Sequence, residues 1–270
     1  MSGLEDLINQ EVVVMEKKMK RVLVYGDVHF PYHDEKALNI LYKYMSEYKP
    51  NIVVMNGDIV DFYSISEWDK NPHHFDIQYE IDLAKDHFNK VRKIVGKKTK
   101  IYFLEGNHEA RLQRYVYKHS ELDGLDVLNL TSLFNFKQYN INFKGVDIDY
   151  WKKDNGHLQL GDVLIMHGDN RLNGASSSKY SGYSVKNTIL GATQMNTIIG
   201  HVHKLALFYH KMANEYIVGI EGGSLCQSVG TANWQQGFVT FELYRNKMVN
   251  PRTHQIINGM LYEDGKLYKG

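Results

Sequence analysis

Five short segments place Asp, Asn or His directly after an apolar run, and these residue types can bind metal ions. The segments are RVLVYGDVH (21–29), NIVVMNGD (51–58), KIYFLEGNHE (100–109), DVLIMHGD (162–169) and TIIGHVHKL (197–205). Their polar residues supply oxygen and imidazole donors: Asp27, His29, Asp58, Asn107, His108, His167, His201 and His203. Such a set suits Mn, Fe or Zn, whereas a structural zinc site would usually use cysteine. The donors are too many for one ion and suit two ions that share a carboxylate.

The elements that would position these donors are strands. Each apolar run is typical of a strand buried on both faces, so we expect the donors along one edge of one sheet. In open α/β sheets ligands bind beyond the carboxyl ends of the strands. Side chains at i and i+2 of an extended segment point to the same side. On that argument His201 and His203 each take one of two adjacent metals, and Asp27 and His29 hold one metal together.

The pattern between the strands predicts helices early in the chain and strands later. Apolar residues at helical spacing predict helices over 34–48, 78–96 and from Ala110 to about Ser120. From KQYNINFKGVDIDYW onward the sequence alternates as antiparallel strands do, and LYEDGKLYKG is typical of a terminal hairpin. We therefore predict an α/β fold, a four-layer α-β-β-α sandwich of two mixed sheets packed face to face with helices outside.

The length favours a single domain over residues 1–270. It would comprise an N-terminal extension (1–20), a motif-bearing core (21–205), and second-sheet strands with a terminal hairpin (206–270).

A net charge of +1 gives no global signal for nucleic acid or membrane. The one cysteine, Cys226, excludes an intramolecular disulfide and is expected to be a small buried hydrophobe. The N-terminus contains neither a membrane span nor a signal-peptide pattern, so we predict a cytoplasmic location.

The order of the motifs carries a family resemblance. GDVH, GDIVD, GNHE, HGD and GHVH, within residues 26–203, resemble the five signature blocks of the calcineurin-like metallophosphoesterase superfamily, in particular its small uncapped bacterial and phage members. The resemblance implies a metal-dependent phosphoric ester hydrolase with two divalent ions; we predict Mn, with Fe or Zn as alternatives. It assigns the first ion to Asp27, His29, Asp58 and His203, and the second to Asp58, Asn107, His167 and His201.

The same resemblance implies a mechanism. A metal-bridging hydroxide would attack phosphorus, and His108 would protonate the leaving group, oriented by Asp61. Two departures from relatives matter. Phosphoprotein phosphatases have Arg and Gly where this chain has Phe62 and Tyr63, and the nucleases of the superfamily usually have Asp in place of Glu109.

Several basic and aromatic residues near the motifs could contact a substrate. Arg111, Arg114 and Lys118 fall at i, i+3 and i+7 on one helix face, where they could guide a phosphate backbone or simply face solvent. Arg171 follows HGD and could contact substrate or serve a turn. The segment WDKNPHHFD (68–76) could overhang the site and stack on a base.

Three functions remain open on the sequence alone. We favour a phosphodiesterase or nuclease acting on nucleotides, DNA or RNA, because the absent phosphatase arginine leaves the site less adapted to a dianionic monoester. The alternative is a phosphomonoesterase on a small molecule or phosphoprotein. A non-catalytic scaffold is disfavoured because all eight motif positions are filled. We expect a phosphate-ester substrate and no membrane partner, and the oligomeric state stays open.

Overall fold

The computed structural model describes residues 19–67, 76–145, 156–169, 178–213, 215–228 and 232–270. Within them the helices are α1 (Glu35–Tyr48), α2 (Ile77–Val95), α3 (Ala110–Lys118), α4 (Leu130–Phe134) and α5 (Tyr183–Thr188), the last continued by a π-helical turn, Ile189–Thr193. Short 3₁₀ turns lie at Tyr63–Ile65, Ser120–Leu122, Asp126–Leu128 and Phe136–Tyr139.

The strands form two large sheets and a terminal hairpin. Their bounds are β1 (Lys20–Tyr25), β2 (Ile52–Asn56), β3 (Lys100–Leu104), β4 (Ile141–Lys144), β5 (His157–Leu160), β6 (Val163–Met166), β7 (Asn196–Ile199), β8 (Leu205–Met212), β9 (Glu215–Gly222), β10 (Gln236–Tyr244), β11 (Lys247–Ile256), β12 (Met260–Glu263) and β13 (Lys266–Lys269). The six-stranded sheet has the order β11-β10-β1-β2-β3-β4, and the five-stranded sheet β5-β6-β7-β9-β8. Both sheets are mixed.

The two long helices begin and end where the sequence predicts. Asp34 caps α1 by accepting a hydrogen bond from the Ala37 backbone N–H, and Asp76 caps α2 in the same way through Tyr79. Gly96 ends α2 with a φ of 72°, a left-handed conformation that glycine adopts without steric cost.

Three apolar clusters bind the layers together. One lies between the six-stranded sheet and α1 and α2, and includes Leu41 and Phe88. A second fills the space between the two sheets, with Val24 and Ile198 as members. A third, including Val185, lies beneath α5 on the outer face of the five-stranded sheet. This arrangement confirms the four-layer sandwich with helices outside.

Two expectations about the strands are corrected. The motif strands do not share one sheet, because β1, β2 and β3 belong to the six-stranded sheet and β6 and β7 to the five-stranded sheet. The predicted antiparallel character also fails for part of the later chain: β4 pairs with β3, and β7 with β6 and β9, in parallel. Alternation at β4 reflects an edge strand buried on one face, with Ile141 inside and Asn142 exposed, and says nothing about strand direction.

The terminal hairpin is present as predicted, and three other pairs of consecutive strands are antiparallel. Strands β5–β6, β8–β9, β10–β11 and β12–β13 each pair antiparallel, the last around Asp264 and Gly265. Among the described residues, no helix is both long and apolar enough to cross a membrane.

Candidate metal centre

The candidate site lies where the carboxyl ends of strands from the two sheets meet. Loops after β1, β2 and β3 supply its residues from one side, and loops after β6 and β7 from the other. Hydrogen bonds between the two sheets hold this junction together. The Asn56 side chain donates to the Met166 carbonyl at 2.9 Å, and the His201 backbone N–H donates to both carboxylate oxygens of Asp27 at 3.0 and 3.1 Å.

The backbone at five of the donors is left-handed rather than extended. Asp27, His29, Asp58, His201 and His203 have φ between 52° and 64°. Side-chain alternation along a strand therefore does not explain why His201 and His203 diverge, which corrects the expectation from their i, i+2 spacing. A non-glycine residue in this region costs of order 1 kcal/mol, so the surrounding contacts must hold these loops in place.

Glycines allow the loops to approach one another. A Cβ on Gly106 would lie 2.2 Å from Asp58 Oδ1 and 2.4 Å from the Asp58 nitrogen. A Cβ on Gly57, whose φ is 82°, would lie 2.6 Å from His167 Nδ1. In these two motifs the glycine therefore leaves out a side chain that would block a neighbouring donor.

Asp27, His29 and His203 form the first group of donors. The Nε2 atom of His203 lies 3.1 Å from Asp27 Oδ1 and 3.1 Å from His29 Nε2. All three residues are buried. Bonds of about 2.1 Å from a common ion would leave neighbouring donor atoms about 3 Å apart, so these three fit around one cation.

Asp58, His167 and His201 form a second group, and Asn107 lies beside it. His167 Nε2 is 3.1 Å from Asp58 Oδ2 and 2.9 Å from Asn107 Oδ1. Asp58 Oδ2 is also 3.8 Å from His29 Nε2, so this carboxylate faces both groups. The seven predicted ligands thus converge, and His201 and His203 fall in different groups as expected.

The imidazoles are oriented through their other ring nitrogens. His167 Nδ1 lies 2.8 Å from the Asn56 carbonyl, and His29 Nδ1 lies 3.1 Å from Asp61 Oδ2. His203 Nδ1 faces the Cys226 sulfur at 3.7 Å. An acceptor at Nδ1 favours the tautomer that leaves the Nε2 lone pair free for a metal. The donor chemistry and these orientations fit a pair of divalent cations.

The charge of the site also favours cations. Burial favours neutral His167, but Asp58 outweighs it and raises the pKa of His167 to about 10. His203 behaves in the same way beside Asp27, with its pKa raised to about 10. Burial opposes ionisation of Asp58, yet the nearby imidazoles, His167 first, hold its pKa well below the usual range. The buried carboxylates thus draw in positive charge, which a metal can supply in place of protons.

His108 and Asp61 lie at the open side of the two groups. His108 Nδ1 is 2.9 Å from the Asp61 carbonyl and 3.3 Å from its carboxylate, while His108 Nε2 is 3.8 Å from Asp58 Oδ2. Burial disfavours protonated His108, but Asp58 and Asp61 outweigh it and raise its pKa. Asp61 Oδ2 contacts both His29 and His108, so one carboxylate orients a metal-ligand candidate and the acid candidate together.

The predicted substrate-binding residues divide into three cases. Arg111 reaches the site: its guanidinium donates to the Asp61 carbonyl at 2.7 Å and lies 3.2 Å from His108 Nε2. Arg114 and Lys118 line an adjacent cavity of about 530 Å³, where Lys118 forms an ion pair with Glu67 at 2.7 Å. Arg171 lies outside the described residues, as do residues 68–75 of the segment expected to overhang the site.

Glu109 is a buried residue whose role the sequence did not reveal. Its carboxylate accepts backbone N–H bonds from Asp58, Ile59, Val60 and Gly106 at 2.7–3.2 Å. It therefore clamps the loop after β2 against the loop after β3. Burial and the nearby Asp58 raise its pKa to about 7. Its place directly before α3 was the available signal, but one sequence cannot show which backbone groups a glutamate will reach.

Three further residues beside the site gave no sequence signal. Cys226 is buried as expected, yet it contacts a candidate ligand. The Trp234 ring packs against His203 with a centroid distance of 4.3 Å. Tyr32 follows His29 by three residues and lines a cavity that it shares with His29, His108 and His203. Each of these residues lies outside the five motifs.

Comparison with known proteins places this geometry in context. A sequence model described as calcineurin-like phosphoesterase matches residues 20–205. The Gene 54 proteins of Mycobacterium phages L5 and D29 are each 24% identical over 270 and 271 residues, covering 93% of this chain and 99% of theirs. Among solved structures, Vacuolar Protein Sorting 29 of Cryptosporidium parvum aligns at 15% identity and a TM-score of 0.44, covering 92% of this chain and 94% of its own. Vps29 of Entamoeba histolytica complexed with Zn²⁺ aligns at 12% identity and a TM-score of 0.41, covering 92% and 95%.

Proposed function

Because the chain belongs to the calcineurin-like phosphoesterase family, we propose that it is a metal-dependent phosphoester hydrolase and that it cleaves phosphodiesters of nucleotides or nucleic acid. The observation that carries the proposal is the convergence of two donor groups on Asp58, with His108 Nε2 3.8 Å from the same carboxylate oxygen. Asp27, His29 and His203 would hold one ion, and Asn107, His167 and His201 the other, with Asp58 between them. Manganese is the ion we propose, since the set contains oxygen and imidazole donors.

Two divalent ions held there would stabilise charge on the phosphoryl oxygens and lower the pKa of the attacking water. The chain's own residues supply the rest. His108 would donate the proton from Nε2 to the leaving oxygen, because its Nδ1 is tied to Asp61. Asp61 would keep that imidazole protonated and in place. Loss of this proton donor should matter most for leaving groups that are strong bases.

The preference for diesters rests on charge. A diester carries one negative charge at the reacting phosphate, and a monoester near neutral pH carries close to two. Phe62, at the position where phosphatases have arginine, is fully buried. Arg111 approaches His108, but Asp61 faces its guanidinium at 3.2 Å and offsets that charge. The site therefore offers little uncompensated positive charge beyond the metals.

One observation favours a phosphomonoesterase as the second candidate. The Arg111 guanidinium is only 3.2 Å from His108 Nε2. A rotation away from Asp61 would bring its planar donor pair toward a phosphate held by both metals, and arginine is suited to gripping such a dianion.

Hydrolysis of two nitrophenyl esters separates the two functions. Manganese-loaded protein should hydrolyse bis(p-nitrophenyl) phosphate with a higher kcat/KM than p-nitrophenyl phosphate, which has the same leaving group. A chelator should abolish both reactions, and Asp86→Asn, an exposed aspartate on α2, should leave them unchanged. A strong preference for the monoester would establish the second candidate instead. If the diester is preferred, turnover of single-stranded and duplex DNA would show whether nucleic acid is a substrate.

A further inference from the structure

A cavity of about 320 Å³ opens beside the metal centre. Six of the residues that line it are already assigned to the site: His29, Asp58, Asp61, His108, His201 and His203. The other four are Tyr32, Cys226, Gln227 and Trp234, and of these only Cys226 already has a role, beside His203 Nδ1. Two of the four are aromatic, so this part of the lining differs in character from the donor residues.

Trp234 is held at the rim by contacts to a candidate ligand. Its ring lies 4.3 Å from the His203 ring, at an interplanar angle of 63°. The neighbouring Gln235 donates its backbone N–H to the His203 carbonyl at 2.8 Å, and its own carbonyl accepts from Ser224 at 3.0 Å. The indole is therefore fixed in position while it remains partly exposed.

Tyr32 reaches the same cavity from the loop after β1. Its backbone N–H donates to the His29 carbonyl at 2.6 Å, and its carbonyl accepts from Gln227 at 2.9 Å. The residue is 41% exposed, and its ring packs edge-on against Tyr63 with the centroids 6.4 Å apart. Tyr32, and Gln235 next to Trp234, thus each bond the backbone of a candidate metal ligand, which keeps the two aromatic residues close to the donor groups.

The cavity contrasts with the larger one that is lined by Asn107 and Arg111, two residues adjacent to His108. That cavity, of about 530 Å³, is lined by Arg111, Arg114 and Lys118, which suit phosphate groups. The described residues that line the smaller cavity include neither lysine nor arginine. A substrate with an uncharged planar group on one side of the scissile phosphate and further phosphate on the other would match both cavities.

We propose that Tyr32 and Trp234 form a nucleobase subsite, so that the substrate is a nucleotide ester whose base lies next to the reacting phosphate. This inference rests on the proposed function and narrows its substrate class. A volume of about 320 Å³ is at the small end of the range for ligand pockets and suits a base with part of its sugar. Base–aromatic stacking tolerates all bases, so this subsite recognises a nucleotide without selecting its sequence.

Calorimetric measurement of ligand binding tests the subsite without relying on turnover. AMP and ribose 5-phosphate carry the same phosphate and sugar, so the ratio of their dissociation constants on manganese-loaded protein isolates the base. We expect AMP to bind roughly tenfold more tightly, the order expected for one stacked base. Trp234→Ala should bring the ratio of the two dissociation constants most of the way to one. It should change the dissociation constant of ribose 5-phosphate by less than about twofold. Trp234→Phe, which keeps a stacking ring, should retain most of the ratio.

Two controls separate a binding role from a structural one. Tyr262→Ala removes an exposed tyrosine in the terminal hairpin and should leave the ratio unchanged. Metal content of Trp234→Ala shows whether His203 still binds. The inference is overturned if wild-type protein binds AMP and ribose 5-phosphate equally, if Trp234→Ala weakens both by the same factor, or if the ratio survives both Trp234→Ala and Tyr32→Ala. Absence of diester hydrolysis would refute the proposed function while leaving this binding result to stand by itself.

Discussion

The two sheets contribute different chemistry to the site. The six-stranded half, the loops after β1, β2 and β3, provides the three aspartates, the asparagine, one ligand imidazole and the proton-donor candidate: Asp27, His29, Asp58, Asp61, Asn107 and His108. The five-stranded half, the loops after β6 and β7, provides His167, His201 and His203. The aspartates of the site therefore lie on one side with His29 and His108, and the other three imidazoles approach them from the other side.

The two halves are also held differently. In the six-stranded half, Glu109 ties two loops together through four backbone N–H bonds, and Asp61 links His29, His108 and Arg111. In the five-stranded half, the imidazoles are aligned largely by acceptors from the other half: Asn56 for His167 and Asp27 for the His201 backbone. We infer that the first half sets the geometry and the second completes it, so mutations in the two should differ in kind.

The largest effect is expected for Asp58→Asn in the six-stranded half. Asp58 faces both donor groups, so its loss should lower the affinity for both ions and reduce kcat by about a thousandfold or more. His201→Asn in the other half should reduce the binding of one ion while the second is retained. Elemental analysis of metal per chain, with circular dichroism to confirm folding, distinguishes the two. Equal metal content in both variants would contradict the inference that the two halves play different parts in metal binding.

His108→Asn should have the next largest effect. Metal content should stay at two ions per chain, while kcat falls by about a hundredfold because the leaving oxygen loses its proton donor. The loss should be smaller for nitrophenyl esters than for alkyl esters, whose leaving groups need a proton. His210→Asn on β8 removes a histidine away from the site and serves as the control. A loss of equal size for both kinds of ester would assign His108 to phosphate binding instead.

Metal affinity should rise with pH because of the five-stranded half. Without metal, the pKa of His167 and of His203 is about 10, above the ordinary value near 6.5. Their protonated forms stabilise the metal-free fold fully below about pH 6.5, and that stabilisation is lost as the pH rises through about 10. Each displaced proton should change the manganese dissociation constant by about tenfold per pH unit.

Calorimetric titration with manganese at pH 6.5, 7.5 and 8.5 measures this effect. Repeating it in buffers of different ionisation enthalpy counts the protons released. Urea unfolding of the metal-free protein over the same pH range should show decreasing stability, since the two raised pKa values lie above the unfolded ones. A dissociation constant independent of pH would show that the two imidazoles are already neutral in the metal-free protein.

The smallest effect is expected at the cationic cavity. Arg114 is exposed and lines it without touching the donor groups, so Arg114→Ala should raise KM for nucleic acid a few-fold and leave kcat nearly unchanged. Each lost phosphate contact should make the log–log salt slope shallower by about 0.7 to 0.9. Adding Arg111→Ala should also lower kcat, because Arg111 contacts Asp61. Lys97→Ala, an exposed lysine between α2 and β3, is the matched control. An unchanged slope would exclude nucleic acid from this cavity and leave small nucleotides as substrates.

The sequence predicted the strand ends and their contents because both are local. An apolar run followed by glycine and a polar residue indicates a buried strand and a loop at its carboxyl end, wherever the strand lies. The pairing of β4 with β3 and the division of the motifs between two sheets are not local. They depend on which connections cross back over a sheet, and alternation along a strand reports only which of its faces is buried.

The residues that the sequence missed show the same limit. Trp234 and Cys226 reach His203 from a segment after β9, and Glu109 reaches the loop after β2 from the start of α3. No spacing within a motif encodes those approaches. Arg111 is the intermediate case: its position on a helix face was predictable, but its pairing with Asp61 was not.

The left-handed backbone at five of the donors has a consequence for protein design. Copying Asp27, His29, Asp58, His201 and His203 onto the ends of ordinary extended strands would aim their side chains elsewhere, because at these positions the backbone turn sets the direction. A transplant would need whole loops, including Gly57 and Gly106 and the Glu109 clamp that holds them. A scaffold chosen to receive the site should therefore first be tested for whether it can accommodate those loops. The metal-ligating residues should be introduced only after that.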